Sequence, residues 1–205
     1  MSSVDLLFMS SLVQIVDTAL ASATLRSGRH LVCRAGCTQC CHGVFPISHQ
    51  DADRLRRGLE LLTVSDPARA NGLRIRVAES LSRLSLGFPG DPTTGIVAEE
   101  EEASEAFEDF ANEEPCPVLD PATGTCDLYQ HRPILCRTFG PPARTEDGNL
   151  ATCELCYTGA STEEIAGSEL DPTLPTVIAA SDDAFNAAHH LTGEVLIAYA
   201  LSNCE

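Results

Sequence analysis

Apolar residues recur at helical intervals along most of the chain. A first helix is predicted by the spacing of Val4, Leu7, Phe8, Leu12, Ile15, Val16 and Leu20. A second helix is predicted to begin after Ser48, whose side chain can cap it, and to continue to about Val64. Asp66-Pro67 starts a third helix, which the glycines and prolines of residues 87–95 end.

The second half of the chain alternates turn sequences with short apolar stretches. A hairpin is predicted where the turn sequence DPATG, residues 120–124, separates Val118-Leu119 from residues 125–129. Pro133 is well placed to open a short helix that Gly140-Pro141-Pro142 ends, and further helices are predicted over 175–190 and 194–201. The expected fold class is therefore mainly α: a single, small and irregular helical domain over residues 1–205 with a short β-hairpin.

Charge and hydropathy narrow the classes of partner. The chain has 30 acidic and 13 basic residues and a net charge of −17. Nucleic acids and anionic membrane surfaces bind proteins that present a positively charged surface, so neither is an expected partner. No stretch approaches the ~20 apolar residues of a membrane span. The apolar N-terminal segment contains Asp5 and Asp17 and has no basic residue before it, which is unlike a signal peptide. We therefore expect a cytoplasmic protein that binds neither nucleic acid nor membrane.

The acidic segment, residues 97–114, carries nine carboxylates. A helix in this segment would turn Phe107 and Phe110 inward and leave a strongly negative outer face. Such a face is either simply solvated or a docking surface for a basic protein partner. The sequence leaves both alternatives open.

Residue types that are missing exclude several enzyme classes. Every basic residue is arginine, and the absence of lysine excludes the lysine-dependent phosphate loops and Schiff-base enzymes. The chain contains neither the GxSxG motif of many hydrolases nor the GxGxxG motif of dinucleotide-binding folds. The chemistry of the chain therefore lies with its ten cysteines.

Four of these cysteines form the motif CxxxCxxCC within nine residues: Cys33, Cys37, Cys40 and Cys41. Thiolates bind Zn²⁺ and iron–sulfur clusters, and a reducing cytoplasm favours such ligands over disulfides. The later cysteines that can complete a ligand set are Cys116, Cys126, Cys136, Cys153 and Cys156. Nine thiols permit either one metal centre with spare redox thiols or two full centres. Cys204, near the end of the chain, is expected to be dispensable.

The order and spacing of the cysteines resemble those of the YkgJ-type cysteine-cluster family. The resemblance rests on CxxxCxxCC, CPVL at residues 116–119 and CDLYQHRPILCRTF at residues 126–139, within about residues 30–157. It implies a zinc- or iron-chelating domain carried by these cysteines. A related domain occurs in flagellin lysine methylases, which implies that iron–sulfur and methyl-group chemistry occur in the family. We expect residues 30–157 to be a metal-binding region that organises the fold, with residues 97–114 as an acidic insertion.

Two other interpretations of the cysteines fit less well. Cys33, Cys37 and Cys40 have the spacing of radical S-adenosylmethionine enzymes, but those enzymes need a barrel of alternating strands and helices. Cys153 and Cys156 form a CxxC pair, but no βαβ pattern of a thiol-redox fold precedes it. A cysteine-bound iron–sulfur cluster, 4Fe-4S in type, is preferred over zinc because the cysteines outnumber the ligands of one tetrahedral site. If one iron of the cluster keeps an open coordination position, the protein is expected to be an enzyme. If thiolates fill every coordination position, an electron-transfer, metal-handling or structural module is expected.

Arg132 and Arg137 are candidates for binding the cofactor as counter-ions. They lie on either side of Cys136, and a thiolate centre carries net negative charge that a guanidinium group can offset. Arg137, inside the predicted helix, is expected to be the buried one. His42, next to Cys41, is a weaker candidate that could ligate the metal or donate a hydrogen bond to a cluster sulfur, and a loop histidine beside a ligand more often does the latter.

Overall fold

The computed structural model describes residues 3–98, 100–145 and 147–202, and within these ranges the chain forms eight α-helices and six two-residue strands. In chain order they are α1 (Ser3–Ser27), β1 (Pro46–Ile47), α2 (His49–Ser65), α3 (Pro67–Leu84), α4 (Glu101–Glu108), β2 (Leu119–Asp120), β3 (Thr125–Cys126), α5 (Ile134–Thr138), β4 (Ala143–Arg144), β5 (Leu150–Ala151), α6 (Thr162–Gly167), α7 (Leu174–His189), β6 (Val195–Leu196) and α8 (Ile197–Ser202). The mainly helical class with a short hairpin, β2–β3, is confirmed.

The starts of α2 and α3 follow the predicted capping residues. The Ser48 side chain accepts a hydrogen bond from the Asp51 N–H (3.3 Å), and the Asp66 side chain accepts one from the Arg69 N–H (3.1 Å). Pro67 occupies the first turn of α3, where its missing N–H costs nothing. Local sequence alone therefore determines where these two helices begin.

The prediction of a helix over residues 194–201 is wrong at its beginning. Val195 and Leu196 form β6, which pairs antiparallel with β1 in the register Pro46↔Leu196 and Ile47↔Val195, and only then does α8 start. The apolar run around Val195 is buried all round, and such a run fits a strand as well as a helix. Helix α6 and the β4–β5 pair were also not predicted.

The chain divides into two compact units, each made of two stretches of sequence. Unit 1 comprises Met1–Arg34 and Ile134–Ala187, and unit 2 comprises Ala35–Pro133 and Ala188–Glu205. Each unit therefore joins an early part of the chain to a late one. The single domain over residues 1–205 stays a prediction.

Unit 1 is built around α1, which contacts α5 and α6. Its core consists of Leu12, Val16, Ala23, Ile134, Leu170 and Leu174. Arg26, in the last turn of α1, donates to the carbonyl of Gly167 (3.1 Å) and so joins this helix to the end of α6. Within the described ranges, no helix is both long and apolar enough to cross a membrane.

Unit 2 is built on the packing of α2, α3 and α8. Its core includes Leu55, Leu59, Leu73, Val77, Leu196, Ala198 and Leu201. Phe107 and Phe110 pack against this core, as predicted, while the glutamates of α4 are exposed. Arg83 on α3 ties the end of the acidic segment down by donating to Glu114 through Nε (2.9 Å) and Nη2 (2.7 Å). Docking of a basic partner on the exposed face stays a prediction.

Candidate metal centres

Unit 1 contains four of the candidate ligands: Cys33, Cys136, Cys153 and Cys156. Cys33 lies in an exposed stretch after the 3₁₀ turn Gly28–His30, and its Sγ lies 3.9 Å from the Sγ of Cys156. Cys153 and Cys156 are buried in one turn, in which the Cys156 N–H donates to the Cys153 carbonyl (2.9 Å). Cys136 is half-buried on α5. The fold thus brings together the thiols of Cys33 and Cys156 across 123 residues of sequence.

Gly140 lies close to the Cys33 sulfur, which only a residue without a side chain allows. A Cβ on this residue would lie 3.0 Å from the Cys33 Sγ and 3.0 Å from Cδ1 of Leu31. Its backbone φ of +118° is also an angle that residues with a Cβ rarely adopt. The glycine that ends the predicted helix after Pro133 is therefore also a close-approach position beside a candidate ligand.

Tyr157 fixes the backbone that follows Cys156. It is buried with a φ of +58°, which is uncommon for a residue with a side chain, and its N–H donates to the His30 carbonyl (2.9 Å). Its hydroxyl hydrogen-bonds to Ser27, and its ring stacks on that of His30 with centroids 5.9 Å apart. The His30 ring in turn contacts the Glu164 carboxylate (3.3 Å). These contacts join the CxxC turn to the end of α1.

Unit 2 contains the other five candidate ligands: Cys37, Cys40, Cys41, Cys116 and Cys126. Cys40 and Cys41 lie in the 3₁₀ turn Gln39–Cys41, and the Cys116 N–H donates to the Cys41 carbonyl (2.8 Å). Cys126 on β3 pairs with Leu119 on β2, whose N–H donates to the Cys116 carbonyl (2.9 Å). Backbone hydrogen bonds therefore connect the CxxxCxxCC turn, the CPVL turn and the hairpin.

The thiols of unit 2 shift one another's pKa values. The hydrogen bond that Cys41 makes to the Cys40 sulfur lowers the pKa of the Cys40 thiol to about 6 and raises the pKa of Cys41 well above its usual range. Burial raises the pKa of Cys116 to about 12 and also raises the pKa of Cys126. Negative charge on Cys116 and Cys126 adds to the raised pKa of Cys41, so these sulfurs share one electrostatic environment.

The two candidate arginines have different surroundings. The Arg132 guanidinium lies 4.0 Å from the ring centre of Tyr129, and its charge contributes to lowering the pKa of Cys40 and opposes the rise at Cys126. Arg137 is buried, as predicted, and its Nη1 donates to both carboxylate oxygens of Asp17 on α1 (2.9 Å each). The charge of Arg132 thus acts on the thiols of unit 2, whereas Arg137 pairs with a carboxylate in unit 1.

Asp127, next to Cys126, has a structural role, as the sequence indicated, but its ion-pair partners could not be predicted. Its side chain is almost fully buried, and its carboxylate pairs with Arg69 and Arg76, both on α3. Arg76 also donates from Nε to the Pro117 carbonyl (3.0 Å). The two arginines hold both the CPVL turn and the hairpin against α3, and only the tertiary fold brings these residues together.

The donor chemistry of both sets fits a thiolate-bound metal. The nine described cysteines form no disulfide among themselves. In the part of the chain that the structure describes, no three Cys, His, Asp or Glu side chains are already arranged to hold an ion. Metal binding would replace the thiol protons and draw the sulfurs together.

A comparison with models of protein families shows which family the chain belongs to. The family model described as "CxxCxxCC: Putative zinc- or iron-chelating domain" matches residues 32–157, more than half of the chain. The chain belongs to this family. No curated protein and no solved structure matches it. The family confirms the resemblance carried by the CxxxCxxCC, CPVL and hairpin cysteines, and it leaves the choice between zinc and iron open.

Proposed function

We propose that this member of the CxxCxxCC family binds metal at two thiolate centres, one in each unit. The observation that carries the proposal is the division of the cysteines, four in unit 1 and five in unit 2. A structural zinc ion takes four ligands, so each unit can supply a full tetrahedral set from its own thiols. The excess of cysteines over one tetrahedral site then reflects a second site.

For unit 1 the ligands would be Cys33, Cys136, Cys153 and Cys156, and the metal would be zinc. With Zn–S bonds of ~2.3 Å, two sulfurs of a tetrahedral site lie about 3.8 Å apart. The 3.9 Å between the sulfurs of Cys33 and Cys156 is close to this separation. Cysteines bound to a 4Fe-4S cluster each take a different iron and hold their sulfurs farther apart. The spacing in unit 1 therefore supports a single ion.

For unit 2 the ligands would be Cys40, Cys41, Cys116 and Cys126, because negative charge on Cys116 and Cys126 helps to raise the pKa of Cys41 and charge on Cys40 and Cys126 helps to raise that of Cys116. Bound metal would keep all four as thiolates, which the raised pKa values of Cys41, Cys116 and Cys126 otherwise oppose. The positive charge of Arg132 supports the same negatively charged centre.

An iron–sulfur cluster of the 4Fe-4S type is the second candidate for unit 2. A fifth cysteine, Cys37, exceeds the needs of one tetrahedral ion, and it precedes Cys40 at the short spacing common among cluster ligands. Arg132 would then act on the reduction potential of the cluster, because a nearby positive charge favours the added electron. Such a cluster would permit a redox or methyl-transfer role.

The test is the metal content of the full chain purified without oxygen, together with two variants. We expect about two metal ions per chain, or one zinc ion and one iron–sulfur cluster, with colour and acid-labile sulfide marking the cluster. Cys156→Ser should lose only the metal of unit 1, and Cys116→Ser only that of unit 2. Cys204→Ser is the matched control and should keep both. If either single variant lost all metal, the two-centre proposal would be wrong.

A further inference from the structure

One described pair of thiols in contact, Cys33 and Cys156, joins an exposed cysteine to a buried one. The Cys33 side chain is exposed and its neighbours Val32 and Arg34 are also exposed, whereas Cys156 is only 4% exposed. Their sulfurs lie 3.9 Å apart. A disulfide needs about 2.05 Å between its sulfurs, so a shift of about 2 Å by one side chain would close the bond.

The surroundings of the pair favour movement of Cys33 toward Cys156. Cys33 lies in an irregular stretch, outside the helices and strands of the described chain, and the absent side chain of Gly140 leaves space beside its sulfur. Cys156 is fixed by its turn with Cys153 and by the buried, hydrogen-bonded Tyr157 that follows it. One partner can therefore approach while the other stays in place.

We propose that Cys33 and Cys156 form a peroxide-sensitive pair whose oxidation to a disulfide releases the metal of unit 1. The release rests on the proposed function, because the same two thiols would be ligands of that metal. The disulfide itself does not rest on it, because the pair is in contact without any metal.

The oxidant is a hydroperoxide, and two thiols supply the two electrons that it takes up. The Cys33 thiolate attacks the peroxide oxygen, the O–O bond breaks, and the leaving hydroxide takes a proton to become water. The Cys156 sulfur then attacks the sulfenic acid, the S–S bond forms, and the S–O bond breaks with loss of a second water. Two thiols and one hydrogen peroxide thus give one disulfide and two waters. When the two thiols begin as metal-bound thiolates, the two protons needed to form water come from solvent.

Oxidation would remove two of the four ligands from unit 1. Cys136 and Cys153 would remain as ligands, and a two-thiolate site holds zinc far more weakly than a four-thiolate site. A low-molecular-weight thiol would reduce the disulfide and restore the site.

The experiment treats the reduced, metal-loaded full chain with one equivalent of hydrogen peroxide after removal of the reductant. Trypsin cleaves after Arg29 and Arg34 and isolates Cys33 in a five-residue peptide, and a glutamate-specific protease cleaves after Glu154, between Cys153 and Cys156. Mass spectrometry of the unreduced peptides therefore identifies the partner of Cys33. Zinc release is followed with a coloured chelator in the same samples, and a parallel sample is first stripped of metal.

We expect the linked Cys33 and Cys156 peptides as the main disulfide among the thiols of unit 1 in both samples, with release of one of the two bound metal ions from the loaded sample. Cys33→Ser should abolish the disulfide and the release, and Cys204→Ser, at a cysteine outside both proposed ligand sets, should change neither. A main product that links Cys153 to Cys156, or Cys33 oxidised to a sulfinic acid without a disulfide, would overturn the proposal. If the disulfide forms without any release, the pair stands and the assignment of these thiols as ligands fails.

Discussion

Cys40 and Cys41 are neighbours in sequence, and their thiols have opposite acidities. The hydrogen bond from Cys41 stabilises the thiolate of Cys40, so the folded protein holds one negative sulfur in this turn at neutral pH. The thiolate is the form that binds metal ions and attacks electrophiles. An entering metal ion would therefore bind to Cys40 first.

The first prediction concerns alkylation of the metal-free protein at different pH values. Because the pKa of Cys40 is lowered to about 6, its thiolate fraction and its reaction rate should already be near maximal at pH 7 and should fall by half near pH 6. Cys116, with a pKa of about 12, should react only in strong alkali. Mass spectrometry of fragment ions measures each site separately.

The matched controls for this prediction change the donor at position 41. Cys41→Ser keeps a hydroxyl that can donate to the Cys40 sulfur, and it should keep the low pKa. Cys41→Ala removes the donor and should move the half-point of Cys40 labelling toward the ordinary value for cysteine, ~8.5. Labelling of Cys40 that rises only above that pH in the wild-type chain would contradict the prediction.

At the scale of elements, the turn after α5 lies against Cys33, a proposed ligand of unit 1. Gly140→Ala would put a Cβ 3.0 Å from the Cys33 sulfur, in addition to straining the backbone. We expect the affinity of unit 1 for zinc to fall about 10- to 100-fold, the range typical of changes that displace a ligand indirectly. A competition titration with a chelator of known affinity measures this change.

Gly148→Ala is the control for backbone strain. Gly148 has a φ of +82°, and a Cβ there would meet nothing within 4 Å. This variant should lose some stability but keep the metal affinity. Equal losses of affinity in the two variants would show that strain, and not contact with Cys33, is responsible.

A second prediction at this scale concerns the ion pairs that join α3 to the hairpin. Asp127→Asn leaves Arg69 and Arg76 without their buried carboxylate beside Cys126, and we expect a loss of about 2 kcal/mol in the free energy of unfolding. Metal affinity of unit 2 should fall while that of unit 1 stays the same. Asp53→Asn breaks a partly exposed i,i+4 pair with Arg57 and should cost at most about 0.5 kcal/mol. Urea unfolding and metal titration compare the two variants, and equal losses would contradict the prediction.

The elements that could be predicted are those specified by local sequence. Ser48 and Asp66 cap helices through contacts only three residues away, so α2 and α3 are evident from sequence. The pairing of β1 with β6 joins Pro46 to Leu196, and two-residue strands have no periodicity of their own. The same limit applies to the site: spacing identified the candidate cysteines, but it could not show that Cys33 meets Cys156 or that Asp127 pairs with Arg69.

At the scale of the whole molecule, the cysteine-rich stretch has little apolar packing of its own. Between Arg29 and Val44 the only large aliphatic residues are Leu31 and Val32, and Val32 is exposed. Burial of apolar surface therefore contributes little to the order of this stretch, and we expect metal binding to supply more of it, as in other small metal-organised folds.

We predict that removing the metal exposes this stretch to trypsin while the helices persist. Cleavage after Arg34 should become at least about tenfold faster in the metal-free protein, which corresponds to about 1.4 kcal/mol of lost local stability. Cleavage at the arginines of α2 and α3 is the internal control and should change little. An unchanged cleavage pattern and an unchanged melting temperature would show that the metal is peripheral to the fold.

The discontinuity of the units also has a consequence for synthesis on the ribosome. Cys33 emerges 123 residues before Cys156, a delay of roughly 6 to 25 s at ordinary rates of translation. Unit 2 must likewise wait for β6 and α8, which come from the last stretch of the chain. The nascent chain therefore carries the CxxxCxxCC thiols before their later partners exist. Under the two-centre proposal, unit 2 could complete its set of thiols only after Cys126 is synthesised, and unit 1 only after Cys156.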